Sequence, residues 1–170
     1  MQIFLAAPFT QMLDSDGAFE PRFRGELAQL QIYLEELGHD VFSAHSREKW
    51  GEALDTPGGA LAIDLAQIDR CDALVAVIGN PPSPGVQLEL GYAIAMKKPL
   101  VLVADPLGDQ PYLVDGIPPL TSATLIRVTN LAESYDALRK ALRPLGGGTH
   151  ADERRERSRS TSRRGRAHSS

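Results

Sequence analysis

The sequence predicts an α/β protein: a single doubly wound domain with a five-stranded, mainly parallel sheet flanked by helices. Three observations predict it. Short runs rich in Val, Ile, Leu and Phe alternate with segments of helical periodicity. Strands separated by helices rather than tight turns require right-handed crossovers and therefore lie parallel. Several of the runs are apolar at every position, as strands covered on both faces must be. At 170 residues the chain has room for one ordinary domain, and a hydrophobic content of 42% suffices for a core.

Taken in order, QIFLAA (2–7) reads as the first strand and 8–24 as an irregular segment. GELAQLQIYLEELG (25–38) repeats Leu27, Leu30, Leu34 and Leu37 at helical spacing and stops at Gly38, as a helix with a glycine cap does. HDVFSA (39–44) is the second strand, 45–56 is irregular, 57–70 fits a helix and DALVAVI (72–78) is the third strand. The Pro-rich turn PPSPG leads into a helix over 85–97. PLVLVA (99–104) and ATLIRV (123–128) are the last two strands, with 105–120 irregular between them, and LAESYDALRKALRPL (131–145) is a closing amphipathic helix. Four of the five strands are expected to be buried on both faces. The irregular segments directly follow strands, where an open parallel sheet places its ligand crevice.

Composition excludes several classes. A single cysteine, Cys71, leaves no internal disulfide and no thiolate set for zinc; it is expected in the core, and a reducing cytoplasm is the expected compartment. MQIFLAAPF has no basic leader, and no stretch approaches the roughly 18 apolar residues of a membrane span. The histidines, at 39, 45, 150 and 168, form no ligand-spaced pair, so no metal is expected. Phosphate-loop and dinucleotide glycine motifs are missing, and no cofactor is expected. Residues 146–170 hold seven arginines against three acids, which leaves 1–145 at a net charge of −8. That Arg/Ser-rich tail has almost nothing to pack and is expected to be disordered, with the domain ending at 145. It lacks interleaved aromatics, and the acidic domain before it argues against nucleic acid as a partner.

The chemistry concentrates in SPGVQLELGYA (83–93). Ser83 and Gly85 fall at a helix start, where unpaired backbone N–H groups favour an anion. Glu89 lies one turn further on. A helical glutamate ordinarily faces water, but LELGYAIAM carries no other charge, so this helix is expected to be largely buried and Glu89 to be partly desolvated at the crevice.

FLAAPF, the DL-containing helix before CDALVAVI, and SPGVQLELGYA followed by KKPLVLV together resemble the nucleoside 2-deoxyribosyltransferase family and its nucleotide N-glycoside hydrolase relatives, over about residues 1–143. AHSREKWG (44–51) and the SPG before the glutamate look most like the cytidine 5′-monophosphate (CMP) hydrolases of peptidyl-nucleoside antibiotic biosynthesis. The resemblance implies a flavodoxin- or Rossmann-like fold and a homodimer or larger assembly whose neighbouring subunit finishes the pocket. It implies that Glu89 attacks the anomeric carbon of the sugar or stabilises its cationic transition state. It implies that Asp64, which alone would read as a helix-surface acid, protonates or positions the leaving base. Transferases of free nucleosides carry Asp where this chain has Ser83, and a hydroxyl tolerates the 5′-phosphate that a carboxylate would repel.

Further candidates for substrate contact are Gly85, which would let the phosphate approach the backbone or would simply permit the turn, and Phe9, which could stack on the base or belong to the core. Arg22 and Arg24 are alternatives for the phosphate, while His45 and Arg47 could read the base or ribose edge. Trp50 could wall the pocket, though core packing is its simpler role. The expected activity is hydrolysis of a pyrimidine nucleoside 5′-monophosphate, CMP first, to the base and ribose 5-phosphate. Its rivals are a 2-deoxyribosyltransferase exchanging bases and a module that binds nucleotide without cleaving it.

Overall fold

The computed structural model describes residues 1–14, 16, 19–80, 82–106 and 112–147. The expected tail, apart from Gly146 and Gly147, lies outside the described residues, as does the middle of the 105–120 segment. Among the described residues no helix is long and apolar enough to cross a membrane.

Five strands, β1 (Gln2–Ala6), β2 (Asp40–Ser43), β3 (Ala73–Ile78), β4 (Leu100–Ala104) and β5 (Ala123–Arg127), form one sheet in the order β2-β1-β3-β4-β5. Every pairing is parallel, with Ile3 opposite both Val41 and Ala73, and Leu74 opposite Leu100. Alternate residues serve opposite faces of a sheet. Ile3, Leu5, Val75 and Val101 meet Leu27, Leu30 and Leu34 of α1 (Pro21–Glu36) and Leu138 and Leu142 of α5 (Tyr135–Leu142). Phe4, Leu74 and Leu102 meet Ile68 of α3 (Pro57–Arg70) and Val86, Leu90 and Ala93 of α4 (Pro84–Ala95). The short helix α2 (Ala44–Arg47) follows β2 directly. Cys71 is buried and donates to the Ile68 carbonyl at 3.2 Å.

Three local outcomes differ from the sequence reading. First, α1 starts at Pro21, not Gly25, because the Glu20 carboxylate caps it, accepting from the N–H of Arg22 at 3.0 Å and of Phe23 at 2.5 Å, and proline suits the first helical position. Arg22 and Arg24 are therefore on a helix rather than in a loop. Second, three strands, not four, are buried along essentially their whole length, since β2 and β5 are the edges of the sheet and keep exposed positions. Third, the expected closing helix is a 3₁₀ turn (Leu131–Ser134), then α5, then a second 3₁₀ turn (Arg143–Gly147). Asn130 caps the first turn by accepting from the Glu133 N–H, and Pro144 cannot continue an α-helix.

Gly38 adopts φ +85°, while His39 N–H reaches back to the Leu34 carbonyl, the bond pattern of a glycine-terminated helix. At the end of α4 the same role falls to Lys97, with φ +55°, and Lys98 N–H donates to the Ala93 carbonyl. A left-handed conformation costs a non-glycine residue about 1–2 kcal/mol, against which glycine's greater freedom in the unfolded chain sets about 0.5–1 kcal/mol. Lys97→Gly should therefore stabilise the fold by roughly 0.5 kcal/mol, read as a higher denaturation midpoint in urea at unchanged slope. An unchanged or lower midpoint would contradict the cap assignment.

Candidate active site

The chain leaves β1 toward β2 on one side and later supplies β3 on the other, so the loops at the carboxyl ends of β1 and β3 diverge and open a crevice between them. A cavity of about 490 Å³ lies there, within the range of small-molecule sites. Ala6, Ala7, Phe9 and Thr10 line it from the end of β1, His45 and Glu48 from the segment after β2, Asp64 from α3, and Ser83, Gly85 and Glu89 from the start of α4. Leu54, Leu61 and Leu88 form its apolar rim.

Of the sequence candidates, Phe9, His45, Asp64, Ser83, Gly85 and Glu89 converge on this cavity. Arg22, Arg24 and Arg47 are not among its lining residues. Arg22 pairs with Glu26 along α1 at 2.9 Å, Arg24 stacks on the Trp50 ring at 5.3 Å, and Arg47 binds Glu48 and Asp55. Trp50 packs against Phe19 and His45 at centroid distances of 5.6 and 5.7 Å and joins the core under α1. Glu48 and Asp55 were not among the candidates. Nothing in AHSREKWG distinguishes a buried glutamate from a surface one, whereas the fold leaves Glu48 only 7% exposed.

The carboxylates are perturbed by their surroundings. Burial pushes Glu89 up to about 8, with the negative charge of Asp64 adding to it. Burial likewise raises Asp64 to about 6, opposed by Arg47 and assisted by Glu48, and its Oδ1 is buried without a hydrogen-bond partner among the described residues. In the free protein the two groups together hold one proton between these values. His45 is buried and kept neutral, its pKa lowered to about 4 by desolvation. Its Nε2 lies 2.9 Å from the Pro8 carbonyl, which can only accept, so Nε2 carries the hydrogen and Nδ1 is a bare acceptor. Phe9 stands against His45 at 4.8 Å and edge-on to Phe19 at 5.6 Å.

At the start of α4, Ser83 is the N-cap residue, yet its side chain makes no capping bond. Gly85 has no positive φ, and an added Cβ would meet only Ser83 Oγ at 3.7 Å. The turn therefore does not need glycine. The expectation of a largely buried α4 is overturned: Val86, Leu90 and Ala93 are buried, but Gln87, Leu88, Gly91 and Ala95 lie on an open face. An uncharged helix without a polar stripe looks buried in sequence whether or not something covers its second face.

An all-parallel doubly wound domain with a carboxylate-rich, apolar-rimmed crevice at its switch point defines an α/β protein that holds a small ligand at the carboxyl edge of its sheet. The sequence narrows this: residues 3–116 match the family described as nucleoside 2-deoxyribosyltransferase, and the chain belongs to that family. Among solved structures it is similar to the CMP N-glycosidase BcmB of Clostridium botulinum, at 25% identity over 81% of this chain and 97% of that one, TM-score 0.64. The solution structure of BlsM is similar at 28% identity over 87% and 95%, TM-score 0.72. A 2-deoxyribosyltransferase of Bacillus psychrosaccharolyticus is similar at 25% identity over 67% and 79%, TM-score 0.51. No curated protein matches the sequence. The chemistry of this family is that of the glycosidic bond in nucleosides and nucleotides.

A carboxyl group whose pKa is higher folded than unfolded favours the fold while protonated, and that contribution disappears as pH rises through its folded value. For Glu89 it is complete below the ordinary carboxylate range near 4.5 and is lost through about 8. Wild-type stability should thus fall between pH about 4.5 and about 8 by on the order of 1 kcal/mol or more, and Glu89→Gln should flatten this limb. Thermal melts of both proteins across that range measure it; parallel curves would show that Glu89 is not held in its neutral form.

Proposed function

We propose that this chain hydrolyses the N-glycosidic bond of a pyrimidine nucleoside 5′-monophosphate, with CMP the first candidate, giving cytosine and ribose 5-phosphate. The observation that carries the reading is the placement of Glu89 and Asp64 in one crevice, where burial raises both carboxyl groups and the charge of Asp64 raises Glu89 further. The reaction requires one carboxylate to be ionised under C1′ and one proton to be delivered to the base. The single proton rests on Glu89 in the free protein and must first pass to Asp64; a Glu89 oxygen then bonds to C1′ as the C1′–N1 bond breaks, and the electron pair leaves with the base. Asp64 supplies the proton that the base takes up. Water then attacks C1′, passing a proton to Asp64 as the glycosyl ester breaks, which releases ribose 5-phosphate and restores both carboxyl groups.

Phe9 would stack on the pyrimidine, with neutral His45 beside it. The phosphate would sit at the N-terminus of α4 on the Ser83 hydroxyl and the first-turn amides. Gly85 fits this placement, because the fold itself tolerates a side chain there. Exposed Leu54, Leu61 and Leu88, at 60%, 41% and 48%, rim the same crevice, and a second copy of the chain would cover them in a homodimer.

A transferase of uncharged nucleosides is the second reading. One observation favours it: Glu48, Asp55, Asp64 and Glu89 line the cavity, and no Lys or Arg is among its described lining residues.

Incubation with CMP, cytidine, their deoxy forms and a free acceptor base, followed by chromatography, separates the two. Hydrolysis predicts free cytosine from CMP and little from cytidine; a new nucleoside on adding the acceptor base would establish the transferase, and intact ligand throughout would leave only binding. Glu89→Ala should lower turnover by about 10³-fold or more. Because the pair must hold one proton, kcat/KM should peak between pH about 6 and about 8 and fall on both sides; a profile flat from pH 5 to 9 would refute the shared proton. Leu88→Lys should yield a monomer by light scattering, and an unchanged dimer would place the interface elsewhere.

A further inference from the structure

Arg47 stands directly behind the crevice wall. Its Nη2 donates to Glu48 Oε1 at 2.5 Å and its Nη1 to Asp55 Oδ2 at 3.2 Å. Both acceptor residues line the cavity, while the arginine side chain is about one-fifth exposed, at 21%. Asp55 is itself tied to α3: its Oδ1 accepts from the Thr56 N–H at 2.8 Å, and Thr56 Oγ caps α3 by accepting from the Gly59 N–H at 3.2 Å. The guanidinium thus links the segment carrying His45 and Glu48 to the helix carrying Asp64.

The segment it closes does not hold its shape cheaply. Lys49, Trp50 and Gly51 follow one another at φ +49°, +59° and +97°, and two of them are non-glycine residues, for which that region is strained. The Glu48 carbonyl accepts from the N–H groups of Gly51 and Ala53 at 3.0 and 3.1 Å. Trp50 is fixed against Phe19 and His45, and the bridge from Arg47 to Asp55 spans the strained turn.

We propose that Arg47 is a positioning residue: by bridging Glu48 to Asp55 it staples the 44–56 segment to the start of α3, and so presents His45 and Glu48 to the crevice opposite Asp64. Its kinetic consequence rests on the reading of the crevice as a site of glycosidic cleavage; its structural consequence does not. The charged groups facing Asp64 are Arg47 and Glu48 from this segment and Glu89 from α4, with Asp55 and the neutral His45 lining the same cavity. Removing the guanidinium deletes the positive charge and leaves Glu48 unpaired, and both changes favour the protonated form of Asp64.

The Asp64 carboxyl carbon, followed by NMR across pH in full-length wild type, Arg47→Lys, Arg47→Met and Asp55→Asn, tests this without requiring turnover. Arg47→Met should move the Asp64 midpoint up by about one unit, and Arg47→Lys should restore it in part. In CMP cleavage, Asp55→Asn and Arg47→Met should each lower kcat/KM about tenfold, and the double variant should be no worse than Arg47→Met, because one staple is being broken twice. An Asp64 midpoint unmoved in Arg47→Met, or losses that multiply in the double variant, would overturn the proposal. If Arg47→Met does not fold, Arg47→Lys and Asp55→Asn carry the same comparison. A wild type inert toward every nucleotide would overturn the proposed reaction, while the titration would still decide the role of Arg47.

Discussion

Two carboxyl groups placed together out of water cannot both ionise at moderate cost, and that constraint organises the crevice. Glu89 is supplied by the first turns of α4 and Asp64 by the middle of α3. These helices pack side by side on one face of the sheet through Ile68, Val86, Leu90 and Ala93. The burial that raises both groups, and the nearness of Asp64 that raises Glu89 further, are therefore products of core packing rather than of any flexible loop. Slight changes in the seating of either helix would alter the proton affinity of the pair, so the apolar residues beneath it bear on that affinity.

Much of the architecture was legible because burial leaves periodic marks. LVAVI and PLVLVA are apolar at every position, and they became the central strands β3 and β4. The Leu27–Leu30–Leu34 spacing placed α1 on its correct face. The beginning of α1 was less visible, because its determinants are a capping carboxylate and a proline rather than a period, and the four-residue error put Arg22 and Arg24 in a loop that does not exist. The edge status of β2 and β5 depends on strand order, which no local pattern encodes.

The site was legible where a motif and a helix start coincide, as at Ser83, Gly85 and Glu89, and at Asp64 only through family resemblance. Arg47 and Glu48 were not separable by sequence. Adjacent opposite charges ordinarily describe a wet surface, and only the fold shows that one lines the cavity while the other stands behind it. The open face of α4 was misread for a related reason: apolar composition records that a helix avoids water, not which body keeps the water away.

The position of β1 has a consequence for how the molecule is made. It is synthesised before the other four strands of the sheet, yet it lies inside the sheet, paired to β2 on one side and to β3 on the other. No two strands are joined by a hairpin, so each pairing closes a long stretch of chain before its contacts repay the lost entropy. On the ribosome, the very apolar QIFLA must wait until Asp40–Ser43 has emerged to gain one neighbour and until Ala73–Ile78 has emerged to gain the other. The chain through β3 must therefore exist before β1 is sheltered on both sides, and a nascent chain interrupted earlier would expose a sticky strand to its surroundings.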